Sequence, residues 1–246
     1  MKLTIVIPLY NEELRIINTF PIINEHLNKL ISKFNIGVEL IFINDGSTDK
    51  TKKVVFDLVK KREKTNYAAV VVSYKKNMGK GFALKKGFKK ASGDYILFMD
   101  ADLSTPLYHI EEFLAVLKDN SLHKNTILIG SRKTKGSNVT KHQTFLRETL
   151  GKGFTLLSNL LLVWGITDFT CGFKMFPKKI GKHLFLLSKI HRWGFDSEIL
   201  YLARKNKYPI LELPVSWSND SNTKVNLRRD IYLSLLDIFK IRFTKY

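Results

Sequence analysis

Apolar residues gather in short dense runs, separated by longer stretches in which they recur at helical spacing. The runs Leu3–Pro8, Val38–Ile43, Ala68–Tyr74, Tyr95–Met99 and Thr126–Gly130 are five to seven residues long and apolar throughout or nearly so. Runs of this kind predict strands covered on both faces. Helical spacing follows each of the first four: to Phe34 with Asn11 as N-cap, to Lys61 with Ser47 or Thr48 as cap, from Asn77 to about Lys90, and over Pro106–Lys118. Pro21 predicts a kink or break in the first helix. Strand-then-helix units in this order predict an α/β fold with a mostly parallel, doubly wound sheet and right-handed crossovers.

After Gly130 the rhythm changes. Ser131–Thr144 is polar, basic and aperiodic, which predicts a long loop. Phe145–Trp164 predicts an unusually apolar helix, Asp168–Met175 an extended segment, Phe195–Asn206 a helix and Ile210–Val215 a strand. Arg228–Arg242 predicts a final amphipathic helix, flanked by Lys240, Arg242 and Lys245. Its basic and apolar faces suit either packing on the sheet or lying on an anionic membrane surface. No repeat, low-complexity tract or long linker interrupts residues 1–246. The expectation is one domain with a nucleotide-binding half (1–130) and an acceptor half (131–246).

Composition narrows the partners. The 246 residues are 44% hydrophobic and 26% charged, a globular balance. The net charge of +19 points to polyanionic company: nucleic acid, an anionic membrane or phosphorylated substrates. No nucleic-acid reader motif accompanies it, so nucleic acid is not expected. The one cysteine, Cys171, excludes an internal disulfide framework and fits a reducing compartment. No secretory signal is legible, and the most apolar stretch, Phe154–Ile166, is 13 residues, short of the ~20 a span needs. The expected place is cytoplasmic, peripheral to the cytoplasmic face of a membrane.

Candidate chemistry begins at Gly93–Asp102, a strand that ends in two aspartates one residue apart. Taken alone, such a pair is more often two helix-capping carboxylates than a metal site. If the sheet is parallel, however, the strand ends at Pro8–Glu12, Asp45–Asp49 and Asp100–Asp102 share one edge, where open α/β sheets bind ligands. A nucleotide with a divalent ion suits that convergence: Asp45 accepting from base or ribose, Tyr10 packing on the base, Asp100 and Asp102 holding Mg²⁺ or Mn²⁺. Gly79-Lys80-Gly81 lacks the third glycine of a dinucleotide fingerprint. It reads equally as a flexible helix entry or as backbone approaching a phosphate. The six histidines lack ligand spacing and read as surface or incidental residues.

The segments IVIPLYNEE, INDGSTDKT, NMGKGFALKKGF, GDYILFMDADLSTP, GSR, DFTCGFKMF, RWGFDSEILYLA and PVSWSNDSNTKV together resemble a family 2 glycosyltransferase, over roughly Leu3 to Arg242. Within that family they are most similar to the polyprenyl-phosphate (dolichyl-phosphate) β-glucosyltransferase branch. The resemblance implies a glycosyltransferase A-type fold and metal-dependent, inverting transfer of glucose from UDP-glucose to a polyprenyl phosphate. Mannose from GDP-mannose, or a non-lipid acceptor, is the alternative. It places donor binding on Pro8, Tyr10, Glu12, Asp45, Lys80 and Asp100, and the metal on Asp100 and Asp102. Acceptor phosphate falls on Arg132, Arg147 and Lys224, and the catalytic set on Asp102, Arg132 and Asp168. Asp168 either orients the acceptor site or caps a turn. Asn44, Ser104 and Thr170 stand where relatives often carry aspartate or glutamine.

Overall fold

The structure, a computed structural model, describes residues 1–62, 65–119, 122–220 and 227–246. A seven-stranded sheet runs in the order β3-β2-β1-β4-β7-β5-β8. Its members are β1 (Lys2–Leu9), β2 (Gly37–Asp45), β3 (Ala68–Tyr74), β4 (Tyr95–Met99), β5 (Ile127–Ser131), β7 (Phe173–Pro177) and β8 (Ile210–Pro214). Pairing is parallel except at β7, which runs antiparallel to both β4 and β5. A short parallel pair, β6 (Asn138–Lys141) with β9 (Ser216–Ser218), lies outside that sheet.

Both faces are covered, which is why the strands read as continuous apolar runs. From β1, Leu3, Ile5 and Ile7 pack with Ile16, Phe20 and Ile23 of α1 (Glu13–Phe34). α2 (Thr51–Lys61) and α4 (His109–Val116) add Val55, Ile110 and Phe113 to that face. Val6 turns the other way, with Ala83, Leu84 and Phe88 of α3 (Lys80–Lys90), Leu184 and Phe185 of α6 (Lys178–Leu187), and Phe195 and Ile199 of α7 (Phe195–Lys205). Phe98 of β4 is fully buried among Phe88, Phe176, Phe185 and Phe195. Truncating a side chain so enclosed costs about 3–5 kcal/mol. α5 (Phe145–Leu161) and α8 (Leu227–Phe243) lie against each other at the margin of this second face, to which Ile241 of α8 and Phe154 of α5 contribute.

Several expectations are corrected. α1 runs unbroken through Pro21, whose side is exposed. One lost hydrogen bond there is outweighed by a buried stripe of Ile16, Phe20, Ile23, Leu27 and Leu30. Asn11 is not its N-cap; Glu12 holds that position, and Asn11 sits in the left-handed region at φ 54°. The Asn11 side chain accepts from Thr48 N–H at 2.8 Å, while Ser47 Oγ accepts from Asn11 N–H at 3.0 Å. These residues therefore tie the β1–α1 turn to the β2–α2 turn rather than capping helices. Asp49 meets the first N–H of α2, at Thr51. The loop after Gly130 contains β6, the extended segment becomes β7 only from Phe173, and α6 escaped the sequence pattern.

Candidate functional site

The carboxyl ends of β1, β2 and β4 meet on one edge, with Leu9 opposite Asn44 and Val6 opposite Phe98. β4 stops at Met99, and Leu103 takes a left-handed conformation at φ 55°. That turn follows the two aspartates at once, as an extended chain requires if both carboxylates are to face one ligand. Asp102 Oδ1 accepts from Ser104 N–H at 2.9 Å. Burial, and then the charge of Asp100, push the Asp102 carboxyl above its ordinary value. Asp100 receives Lys80 Nζ at 2.6 Å. A Cβ on Gly172 would lie 2.0 Å from Asp100 Oδ2, so glycine is what lets the carboxylate sit there. Asp100 borders a water-sized hollow of about 10 Å³ with Ser104 and Gly172, and with the neighbouring Asp102 it suits a hard divalent ion whose remaining ligands come from a substrate. Among the described residues no third His, Cys, Asp or Glu completes a protein cage.

The other donor candidates share that edge but differ in availability. Asp45 is buried, and its carboxylate accepts from Met78 N–H, Gly79 N–H and Asn77 Nδ2 at 2.8–2.9 Å. Its first task is to shape the entry to α3. Tyr10 is exposed, Pro8 is half-buried, and Glu12 is engaged by Arg15. Arg15 also reaches Asp220 at 2.9 Å, fastening the segment after β9 to this edge. Lys80 is drawn in by opposing effects: burial disfavours its charge, and Asp100 with Asp196 outweigh it, raising its pKa.

The acceptor candidates gather around β5. Asp168 is fully buried, and its two oxygens accept Arg132 Nε (2.7 Å), a terminal nitrogen of the same guanidinium (2.8 Å), Arg132 N–H (3.0 Å) and Thr170 N–H (3.2 Å). Burial would raise the carboxyl, but Arg132 wins and holds it far below the carboxylate range. Such a carboxylate has no lone pair to spare. It positions Arg132, whose guanidinium lies 5.1 Å over the Trp217 ring. Arg147, on α5, is half-buried; burial first, and the Arg132 charge second, lower its pKa. Lys224 lies outside the described residues.

Residues that sequence reasoning passed over complete both ends. Lys133 Nζ donates to Thr155 Oγ1 of α5 at 2.8 Å, and burial lowers its pKa beside Arg132. Glu212 accepts from Thr167 N–H, Thr167 Oγ1 and Asp168 N–H at 2.8–3.1 Å, bracing the loop that holds Arg132. Asp196 and Lys174 form a buried pair at 2.6 Å. His109, read as incidental, is buried: Nδ1 meets Glu112 and Nε2 accepts Ser216 N–H at 2.8 Å. Trp217, Lys174 and Asp196 stood within the quoted PVSW, CGFK and WGFD segments, a signal that composition and spacing alone did not carry.

One short segment serves both ends, since Asp168 grips Arg132 and Gly172 makes room for Asp100. Comparison with known proteins places the chain as a whole. The family model described as glycosyl transferase family 2 matches residues 4–185. The dolichyl-phosphate beta-glucosyltransferase of Dictyostelium discoideum is 34% identical over 98% of this chain and 74% of its own length. The human protein of that name is 32% identical over 91% of this chain and 69% of its own. Among solved structures, Mycobacterium tuberculosis glucosyl-3-phosphoglycerate synthase with Mn²⁺, UDP and glucosyl-3-phosphoglycerate superposes with a TM-score of 0.66 at 17% identity, covering 100% of this chain and 81% of that one. A Pyrobaculum calidifontis mannosyltransferase with GDP-Man and Mn²⁺ gives 0.64 at 17%, over 99% and 65%. The fold is that of the A-type glycosyltransferases, and the chain belongs to glycosyl transferase family 2, among the relatives of the dolichyl-phosphate beta-glucosyltransferases.

Proposed function

We propose that this protein transfers glucose, with inversion, from UDP-glucose to a polyprenyl (dolichyl) phosphate at the cytoplasmic face of a membrane, with Mg²⁺ or Mn²⁺ as cofactor. The carrying observation is the pairing of opposite charge on one sheet edge: a carboxylate pair at Asp100 and Asp102, and a cation cluster of Arg132, Lys133 and Arg147. The first suits a metal–diphosphate donor, the second a phosphate acceptor. Residues 1–130 then serve the donor and 131–246 the acceptor.

The division of labour follows from acceptor chemistry. A phosphate monoester has a second pKa near ~6 and is already largely dianionic at neutral pH, so it needs no strong general base. Asp168, with its lone pairs committed to Arg132, is suited to positioning that guanidinium and not to taking a proton. Arg132, Arg147 and Lys133 hold and orient the nucleophile, and Lys80 adds charge on the donor side. Asp100 and Asp102 would hold the metal, which when bound would supply positive charge to the departing diphosphate.

A polyprenyl acceptor requires membrane contact, yet among the described residues no helix is long and apolar enough to cross a membrane. Support for peripheral docking comes from α5 and α8. Leu146, Leu156, Leu160 and Trp164 are exposed on or just after α5, and Tyr232, Leu236, Phe239 and Phe243 recur along α8. With a charge of +19, that face favours an anionic bilayer.

The test is transfer of radiolabelled sugar to extracted polyprenyl phosphate, with UDP-glucose and GDP-mannose offered side by side. Glucose-labelled lipid, lost on adding EDTA, is expected. Labelling from GDP-mannose alone, or turnover that persists in EDTA, overturns the donor or the metal assignment respectively.

A further inference from the structure

Trp217 faces both ends of the site. The Arg132 guanidinium lies 5.1 Å over its ring, and Trp217 also lines the hollow of about 10 Å³ beside Asp100, Ser104 and Gly172. The strand that carries it is tied to both ends as well. Val215 N–H donates to the Ser131 carbonyl at 3.1 Å, one residue before Arg132. Ser218 N–H donates to the Ser104 carbonyl at 2.9 Å, and Ser104 N–H in turn meets Asp102 Oδ1. Between these ties, Ser216 N–H donates to His109 Nε2 and Ser216 Oγ accepts from the Tyr108 hydroxyl, each at 2.8 Å. β6 covers one edge of the strand, with Val139 opposite Trp217.

So firm a seat holds a large ring that is itself only half-buried. The chemistry says what belongs against it. Inversion requires attack on the anomeric carbon in line with the departing diphosphate, so the sugar lies between the acceptor phosphate and the donor phosphates. The hollow beside Asp100 admits a water or an ion and is too small for a hexose. The hexose therefore lies outside it, toward Arg132, along the span that Trp217 covers. A pyranose carries C–H groups on its faces and hydroxyls around its rim. An aromatic surface takes the C–H face by apolar burial and leaves the hydroxyls free for polar partners.

We propose that Trp217 is the platform for the transferred sugar, holding its C–H face between donor and acceptor; the inference rests on the donor and acceptor reading above. The contact is separate from the charged groups that hold the two phosphates. Replacing the ring removes a contact to the sugar and leaves those to the nucleotide in place.

The experiment is calorimetric titration of the wild type, Trp217→Leu and Trp217→Phe with UDP-glucose and with UDP in Mn²⁺. Trp217→Leu should weaken UDP-glucose binding about tenfold and UDP binding less than about twofold, the scale of losing one aromatic contact. Trp217→Phe, which keeps an aromatic face, should recover most of that loss. UDP-glucose affinity equal to wild type in Trp217→Leu overturns the proposal and leaves the ring as a support for Arg132 alone. A parallel fall for UDP and UDP-glucose overturns it too, since a loosened β9 would disturb the Asp102 turn and act on both ligands. A wild type that binds neither ligand overturns the donor reading itself.

Discussion

Two ion pairs stand on the same sheet edge and are built in opposite ways. Lys80 meets Asp100 through one contact of 2.6 Å, and the aspartate side chain is 39% exposed. Arg132 meets Asp168 through two side-chain contacts, backed by two backbone N–H groups, and the aspartate is 0% exposed. An ionised carboxylate offers about four acceptor sites. Asp100 therefore keeps capacity for a further partner and Asp168 keeps none. The first pair is suited to exchange with ligand, the second to holding a guanidinium still while ligand comes and goes. Charge alone, equal in the two pairs, does not distinguish the roles; committed lone pairs and exposure do.

The largest expected effect falls on the exchangeable end. Asp102→Asn should lower transfer by on the order of a thousandfold, the scale of losing electrostatic stabilisation of a leaving group. It should also leave the fold intact or slightly steadier, because burial and the Asp100 charge already disfavour the ionised form. A transfer assay paired with thermal unfolding checks both halves. Undiminished turnover removes Asp102 from the metal site, and a lower melting temperature makes its role structural.

At the fixed end the signs reverse. Asp168→Asn should destabilise by about 3–5 kcal/mol, because the Arg132 charge stays partly buried without its partner. Urea titration measures this, and a change within about 1 kcal/mol would place the support in Glu212 and Trp217 instead. Acid gives a second view. The folded carboxyl of Asp168 is held below its ordinary value, so its contribution is fully present above the unfolded pKa of about 3.9 and is lost as pH falls through the folded one. Asp102 and Asp196, pushed upward chiefly by burial, act in the opposite sense: protonation on acidification relieves a cost. Wild-type stability below about pH 4 should therefore fall more steeply than that of Asp168→Asn.

The contrast between the two ends also marks what was legible beforehand. The first five strands and the helices between them follow from apolar runs alone, because a parallel sheet covered on both faces leaves nothing polar to confuse the pattern. The Asp100–Asp102 pair was visible as a motif, and the parallel order placed it on the edge shared with the ends of β1 and β2. The second half was harder for a physical reason. β7 enters the sheet antiparallel between β4 and β5, and its five residues pass into α6 with no loop between, so nothing in the local spacing separates the two elements or gives the strand's direction. Asp168 shows the limit most plainly. Its partner is 36 residues earlier, and no local spacing reveals that both its oxygens are taken. Asp45 shows the same limit: an acidic strand end was visible, its enclosure by Met78 and Gly79 was not.

The smallest effect tests whether the acceptor end meets lipid. α5 has one fully buried residue, Ser158, while Leu160 is 63% and Trp164, just beyond it, 74% exposed. Fully burying an apolar side chain contributes roughly 1.5–3 kcal/mol, and each nearby basic residue about 1 kcal/mol on an anionic surface. The double substitution Leu160→Ser, Trp164→Ser should then weaken sedimentation with phosphatidylserine vesicles by about tenfold or more, each factor of ten being ~1.4 kcal/mol. Phe239→Ser with Phe243→Ser on α8 should act in the same direction. The two helices need not matter equally for turnover. Among the described residues α5 is tied to the cation cluster and α8 is not: Lys133 meets Thr155 at 2.8 Å, and α5 carries Arg147 itself. Loss of α5 contact should raise the KM for lipid acceptor more than loss of α8 contact does, at equal vesicle binding. Equal KM changes would mean that the bilayer merely concentrates the enzyme, and that α5 does not present the acceptor phosphate to Arg132.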